Sequence, residues 1–346
     1  MKYQNHSLTI GIVMLGALLA ASCTRDIIPA DDAATRPCPL RVSALQASGV
    51  NEAVTRGTPA YPTGQLVGFF MKEDAVARYT ACDNYKGVYN TTEAKWTPVP
   101  DILLNNKNAD IAVYAPYDIT QTVPAALSLT ACLRPQDGSK DIWCERFAAN
   151  NRSANLALTL KHVYTRLTLT LKRSADYKEE ATLTDIALTG NEICAGSAYR
   201  FFDADPYARD GAKGFSAPST QVLNDTHPEA AYDLLLIPTV PLTGDLTLAF
   251  TVNGKKTRVV IAKEKFTATG GKLEAGMQYT IGLTLQPGKL EITSIGIVKW
   301  DALAEVNGGN AEYEPDIPLI PDGNVNGGDY EPDPAVPDIP TNPKPV

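Results

Sequence analysis

The sequence predicts an all-β protein in which two antiparallel β-sandwich blocks, about 38–165 and about 166–306, follow one another along the chain. Apolar residues occupy every second position of 167–171 and 246–252, the period of a strand with one buried and one solvated face. No segment has the 3.6-residue apolar stripe of a long helix, which disfavours an α/β sheet. With 346 residues, 44% of them hydrophobic, the chain can bury two cores.

Individual strands and turns follow in chain order from the same pattern. Turn residues support two hairpins, at Asn253-Gly254, which suits a type I′ turn, and at Pro287-Gly288. In 181–189 the apolar phase slips between Leu183 and Ile186, which predicts a β-bulge. The predicted strands are 39–47, 65–71, 109–115, 155–160, 163–172, 181–189, 231–237, 246–252, 256–262, 278–286 and 289–299.

The first 22 residues have the features of a lipoprotein signal peptide. Lys2 precedes an apolar run of 13 residues, too short for a helix that spans a bilayer, and small residues lead directly into Cys23. This arrangement predicts cleavage before Cys23, whose acyl chains would anchor the protein in the outer membrane. An ordinary signal peptide with an incidental cysteine is the alternative. Residues 23–37 are predicted to be a polar linker.

Negative charge is concentrated near the C-terminus. The formal net charge is −8, and residues 311–346, with eight acidic residues and one lysine, account for −7 of it. The same stretch holds nine of the 25 prolines, which cannot donate to a sheet ladder, so 307–346 is predicted to be a disordered tail. The rest of the chain has no basic cluster, which argues against nucleic acid as a partner.

The tail contains a repeated motif. Asn-Gly-Gly followed by Asn or Asp, and then by Tyr-Glu-Pro-Asp, occurs at 307–316 and again at 326–333. Two copies are too few for a solenoid. The repeat is either a polar spacer or a docking sequence for a neighbour, and the sequence leaves both interpretations open.

No pattern typical of a catalytic or metal site occurs in the sequence. It lacks Gly-x-Ser-x-Gly and Cys-x-x-Cys, and its three histidines are scattered. A non-catalytic protein without a cofactor or metal is therefore predicted. Apart from Cys23 there are five cysteines, an odd number that leaves both free thiols and bridges open. They are Cys38, Cys82, Cys132, Cys144 and Cys194.

Seven short segments, in this order along the chain, resemble those of a known family. They are Cys23, Thr55-Arg56-Gly57, Val67-Gly68-Phe69-Phe70, Tyr89 with Lys95-Trp96-Thr97-Pro98, Ile111–Tyr117, Leu160–His162 with Leu167–Lys172, and Ile295–Trp300. Together they resemble the fimbrillin superfamily, the lipoprotein precursors of type V pilus subunits. The resemblance implies two tandem transthyretin-like β-sandwiches, in agreement with the two blocks drawn from periodicity.

The resemblance also implies assembly with other fimbrial subunits by donor-strand exchange. In that mechanism a trypsin-like protease cuts after an arginine, the first strand leaves, and a strand from another subunit fills the groove. Arg56, next to Gly57 in a turn-prone setting, fits as the cleaved residue, and an ordinary loop arginine is the alternative. The strand that would leave is 39–47. The side chains that would vacate the groove are Leu40, Val42 and Leu45.

The tail departs from what a stalk subunit needs. A stalk subunit should donate an alternating apolar strand, whereas proline interrupts 311–346 at about every fourth residue. A tip or minor subunit of the fimbrium, exposed at the cell surface and contacting a host or bacterial surface ligand, is therefore the favoured interpretation. The alternative is a surface glycan-binding lipoprotein. Its candidate sugar-stacking residues are Trp96, Trp143 and Trp300, although Trp300 ends an apolar strand and a core position is favoured for it.

Overall fold

The computed structural model describes residues 36–47, 63–121, 125–135, 140–209, 213–300 and 328–329. They form 22 strands and one 3-10 helix, Lys263–Thr269. No helix in these ranges is long and apolar enough to cross a membrane. The strands are β1 (Cys38–Pro39), β2 (Arg41–Ala47), β3 (Val67–Met71), β4 (Cys82–Asn90), β5 (Lys95–Val99), β6 (Leu103–Leu104), β7 (Ala109–Ala115), β8 (Ala126–Thr130), β9 (Cys132–Leu133), β10 (Trp143–Ala149), β11 (Asn155–His162), β12 (Thr165–Arg173), β13 (Ala181–Thr189), β14 (Gly196–Arg200), β15 (Tyr207–Arg209), β16 (Gly214–Leu223), β17 (Glu229–Leu236), β18 (Leu246–Val252), β19 (Lys255–Ile261), β20 (Met277–Gln286), β21 (Lys289–Lys299) and β22 (Gly328–Asp329).

Several sequence predictions fall outside the described residues. They are the signal peptide 1–22, Cys23, most of the linker 23–37, Arg56 with Gly57, and the tail 307–346 apart from β22.

The prediction of an all-β chain is confirmed. Asn253 and Gly254 connect β18 to β19 with φ angles of 49° and 78°, as a type I′ turn requires. The register of β13 shifts just after Leu183, at the predicted bulge. The sequence pattern missed β4, β5, β8, β10 and β14–β16, because short strands and strands with two mixed faces lack a clean alternation.

Seven strands close into a barrel in the order β10, β11, β2, β5, β4, β3, β7. β2 runs parallel to β11, and every other neighbouring pair in the barrel is antiparallel. The apolar side chains of these strands share one core, in which Phe69, Trp96 and Ile111 are among the largest fully buried residues. Closure of the sheet removes the unpaired edges that an open sandwich would leave.

The C-terminal part contains a six-stranded sheet and a four-stranded sheet that share a second core. The first has the order β22, β21, β20, β12, β17, β9, and the second the order β16, β13, β18, β19. Alternating residues such as Leu169 on β12 and Leu248 on β18 enter this core fully buried. β12 lies in the middle of its sheet, parallel to β20 and antiparallel to β17.

The two cores meet through a short and buried connection. Only Val163 and Tyr164 separate β11 from β12, and both belong to the second core. β8 and β9, which come earlier in the chain, pair with β14 and β17 of the C-terminal part. Residues 126–133, on the N-terminal side of the predicted boundary at 165, therefore pack with the other block.

Candidate functional site

The predicted exchangeable strand corresponds to β1 and β2, and its three predicted groove-filling side chains are buried. Leu40 and Val42 are 0% exposed and Leu45 is 2% exposed. They belong to the barrel core, together with Phe69 and Trp96. Burying an aliphatic side chain of this size is worth about 1.5–3 kcal/mol. Burial of these three side chains therefore supplies most of the hydrophobic free energy that keeps this strand in the barrel.

A β-bulge explains the uneven spacing of these side chains. Val42 lies opposite Leu156, and Ala44 lies opposite the next residue, Ala157, so Ser43 is the extra residue. The Ser43 hydroxyl donates to the Leu156 carbonyl at 3.0 Å. The bulge turns the chain by one position, so Leu45 rather than Ala44 returns to the core.

The backbone of β2 is paired unequally on its two sides. The ladder with β11 extends from Arg41 to Ala47. Within the described residues the ladder with β5 consists of one pair, Val42 opposite Trp96. On this second side β1 adds two residue pairs with β6, and the Leu40 N–H donates to the Ile102 carbonyl at 2.8 Å. Beyond Leu40, β2 therefore loses few hydrogen bonds on this side when it leaves, and it leaves an open edge on β11.

Arg41 adds an electrostatic clamp at the start of β2. Its guanidinium donates to Glu93 at 3.2 Å and to Asp101 at 2.8 Å. Both carboxylates are about half exposed, with side-chain exposures of 45% and 46%. Exposed ion pairs contribute little to the free energy of folding. The Arg41 clamp therefore orients β2 but adds little to the free energy that keeps it in the barrel.

The strand that follows β2 in sequence is not paired with β2 in the barrel. β3, the next strand in sequence, is separated from β2 in the barrel by β5 and β4. Residues 48–66 join them, and the predicted cleavage site at Arg56-Gly57 falls in this stretch, outside the described residues. The geometry therefore brings together Leu40, Val42 and Leu45, and it leaves Cys23, Arg56 and Gly57 as predictions.

Trp96, which the sequence suggested as a sugar-stacking residue, instead forms a wall of the groove that holds β2. It lies opposite Val42, is 2% exposed and makes an edge contact with Tyr89, the ring centroids being 5.4 Å apart. Pro98, two residues later, obscured the strand signal of β5 in the sequence.

Trp143 and Trp300 lie in a buried polar cluster where the two cores meet. The Trp300 ring stacks on His162 with a centroid distance of 3.6 Å and an interplanar angle of 5°. His162 Nδ1 lies 3.0 Å from the Asp141 carboxylate, and Trp143 Nε1 lies 3.3 Å from His162 Nε2. These rings join the barrel to the end of β21.

The tryptophan platform expected of a glycan-binding protein is not present at the surface. Trp96, Trp143 and Trp300 are 2%, 8% and 2% exposed. Stacking on a sugar needs an exposed ring face. All three candidates therefore serve packing instead.

The five cysteines of the described residues form no disulfide with one another. Desolvation by burial raises the pKa of Cys82 and of Cys144 to about 12. The thiolate is the reactive form, so these two thiols are poor nucleophiles near neutral pH.

Comparison with known proteins adds the family. The profile of the fimbrillin-like family matches residues 55–300. Among the curated proteins compared, none matches the chain.

Solved structures match the chain at low sequence identity, and one of them shares its fold with a TM-score above 0.5. A proposed cell adhesion protein from Bacteroides ovatus is 13% identical with a TM-score of 0.51, over 77% of this chain and 98% of its own. One from Bacteroides uniformis is 17% identical with a TM-score of 0.49, over 75% and 99%. The fimbrial anchor protein Mfa2 from Porphyromonas gingivalis is 14% identical with a TM-score of 0.39, over 76% and 98%. The family match covers well over half of the sequence, and the chain belongs to the fimbrillin-like family.

Proposed function

We propose that this protein is a non-catalytic fimbrial subunit that accepts a donor strand in place of β2 and serves in cell adhesion as a tip or minor component. Membership of the fimbrillin-like family supports a fimbrial subunit that contacts other subunits at the cell surface. The observation that carries the finer proposal is the position of β2, which is fully paired with β11 and paired with β5 at a single residue.

Cleavage after Arg56 would turn β2 into a separate peptide. The fragment ending at Arg56 would be held only by non-covalent contacts, because the cut breaks its chain connection to β3 and Cys38 forms no disulfide within the described residues. Its departure exposes the pockets of Leu40, Val42 and Leu45 and the edge of β11. Such a vacancy favours any strand that fills the same pockets.

The bulge at Ser43 sets the pattern that a donor must match. Apolar side chains are needed at positions i, i+2 and i+5, as in Leu40, Val42 and Leu45. Every set of three apolar residues of 311–346 with this spacing includes a proline, which cannot donate to a sheet ladder. The tail is thus a poor donor, which favours a subunit that accepts a strand without passing one on.

The same cleavage would separate the subunit from its anchor. Acylated Cys23 and β2 lie on the same side of Arg56, so the lipid would remain with the displaced fragment. The uncut precursor would stay in the outer membrane, and the cut subunit would be free to join a fimbrium. Its adhesive ligand would be a host or bacterial surface molecule.

Uptake of a synthetic strand tests the exchange. The full chain is treated with an arginine-specific protease and mixed with a fluorescent peptide of residues 37–47, and binding is followed by anisotropy. We expect uptake after cleavage of the wild type and none for Arg56→Ala. Arg36→Ala is the matched control, because a cut after Arg36 leaves β2 joined to β3, and it should behave as the wild type.

Uptake without cleavage, or none by the cleaved wild type, would refute the proposal. A peptide carrying Val42→Asp and Leu45→Asp should not bind, which separates groove filling from non-specific adsorption. For the anchor, cells labelled with an alkyne fatty acid should label the wild type and not Cys23→Ala; equal labelling contradicts lipidation.

A further inference from the structure

Among the residues that the structure describes, the C-terminal part leaves most of one side of its two sheets open. β21 is the last long strand of the six-stranded sheet, and β19 is the last strand of the four-stranded sheet. The two strands contact each other, so both sheets end on the same side of the domain. An exposed edge of this length invites pairing with other chains.

β22, from the tail, lies on this open side. Gly328 pairs with Leu290 and Asp329 with Lys289 in antiparallel register, and β22 also contacts β19. These two residues belong to the second copy of the repeated tail motif, 326–333.

A cleft lies directly beyond this pairing. Its volume is about 530 Å³, and it is bounded by the β12–β13 loop, the β18–β19 hairpin and the β20–β21 turn. Val252 and Leu285, both nearly fully buried, form an apolar floor. The half-buried Tyr177 and the amide of Asn253 line one wall. Such a mixture of apolar floor and polar rim suits a peptide side chain with a polar end.

The rim of the cleft is charged. Lys178, Lys255 and Lys289 contribute three positive charges, against Asp176 and Glu179. Lys289 is already paired, because its Nζ lies 3.6 Å from Glu291 Oε2. Among the described residues, neither Lys178 nor Lys255 forms an ion pair with a carboxylate, so both can meet an acidic ligand.

The register of β22 directs the chain into this cleft. Because the pairing is antiparallel, continuation past Asp329 runs toward Gly288 and Pro287, which line the cleft. The same register would set Tyr330 opposite Gly288 and Glu331 opposite Pro287.

We propose that this end cleft is a docking site for the acidic tail segment 326–333 of the same molecule, with Tyr330 over the apolar floor and the carboxylates on the lysine rim. The segment carries Asp329, Glu331 and Asp333 and no basic residue. Docked in this way, the second copy of the motif covers the end of the β21 edge next to the β20–β21 turn instead of acting as a spacer.

Chain length selects the second copy over the first. From Trp300 the chain must return ten residues along β21 to reach Leu290, a distance of about 33 Å at ~3.3 Å per residue. Gly309 of the first copy is nine residues beyond Trp300, and nine extended residues reach at most about 32 Å. A reversal of direction shortens this reach further. Gly328 has 28 residues available and reaches easily.

Hydrogen exchange on the full chain in detergent solution tests the docking. Tyr330→Ser with Glu331→Lys should speed exchange in 286–292 and 326–333 by about tenfold, the factor that ~1.4 kcal/mol of local opening free energy gives. The matched control is Tyr313→Ser with Glu314→Lys, the same changes in the first copy, which should have no effect. Lys255→Glu should act like the Tyr330 variant, whereas Lys72→Glu, at an exposed residue outside the cleft, should not.

Unchanged exchange in β12 shows that a variant is folded. A loss of protection confined to 286–292 and 326–333 then reports loss of docking and not unfolding. If the Tyr330 variant and its control exchange alike, the docking is refuted. If the first-copy variant loses protection instead, the assigned segment is wrong. If protection falls on dilution of the wild type, the tail comes from a second molecule, and the intramolecular assignment is overturned.

Discussion

The first long strand of each block meets its sheet in a different way. β2 pairs with β11 along its length and, within the described residues, with β5 at Val42 alone. β12 pairs with β17 from Thr165 to Lys172 and with β20 from Arg166 to Arg173. Both strands have a parallel partner that is distant in sequence. Only β12 has a complete second ladder.

This difference separates a replaceable strand from a structural one. Removing β12 would break two ladders and divide the second core, because Leu167, Leu169 and Leu171 all lie within it. Removing β2 opens one edge and three pockets of the barrel. We therefore expect exchange to be confined to the N-terminal block.

The largest difference should come from cutting the chain after each strand. A recognition site for a specific protease is inserted after Gly57 in one variant and after Asp176, in the loop that follows β12, in the other. After cleavage the β2 fragment should dissociate in mild denaturant, since its second ladder is nearly absent, and the β12 fragment should stay bound. Size-exclusion chromatography with mass spectrometry measures this. If both fragments stayed bound, or both dissociated, β2 would be no more replaceable than β12.

Shortening a core leucine on each strand should show a smaller contrast. Leu169→Ala creates a cavity in a fully paired sheet and should lower the free energy of unfolding by about 4–5 kcal/mol, whereas Leu45→Ala should cost about 2–3 kcal/mol because a strand with one ladder can relax. Urea denaturation gives both values. Leu103→Ala, at a residue that is 55% exposed, should be nearly neutral. A larger loss for Leu45→Ala than for Leu169→Ala would contradict this comparison.

The arginines of the two strands should differ by less. Arg166 makes a bidentate pair with Asp233, with two bonds of 2.8 Å, while Arg41 is shared between two half-exposed carboxylates. Arg166→Ala should cost roughly 1.5–3 kcal/mol, and Arg41→Ala about 0.2–1 kcal/mol, an effect that added salt should remove. Thermal unfolding at low and high salt measures both. Salt-independent destabilisation by Arg41→Ala would show that the clamp retains β2.

Acidification should produce the smallest effect, in both blocks. Desolvation opposes ionisation of Asp118, but hydrogen bonds from Thr120 and Gln121 outweigh it and lower its pKa below the ordinary 3.8. Desolvation likewise opposes ionisation of Asp205, and the Arg209 side chain outweighs it. A lowered folded-state pKa adds stability that is complete above the unfolded value and is lost as pH falls through the folded one. Stability should thus fall below about pH 4, and less steeply in Asp118→Asn; an unchanged acid profile would exclude this contribution.

Sequence periodicity located those elements whose two faces differ in polarity. The type I′ turn at Asn253-Gly254 and the bulge after Leu183 follow from local chemistry, and both are present. β4 was missed because closure of the barrel partly buries both its faces, which leaves no alternating pattern. β5 was missed because it contains a proline. The roles of Trp96, Trp143 and Trp300 also depended on tertiary packing, since a tryptophan in a core and one at a surface look alike in sequence.

By itself the sequence determined the fold class, strands β12, β13 and β17–β21 of the second block, the buried side chains of the first strand and the compositional break at the tail. These depend on residues close in sequence, through the two-residue period and turn chemistry. Only the tertiary structure decided that β2 lies parallel to β11 and, among the described residues, pairs with β5 at Val42 alone, and that β8 and β9 join the opposite block. Pairing between strands distant in sequence depends on which edges remain when both cores close, and no local pattern encodes that choice.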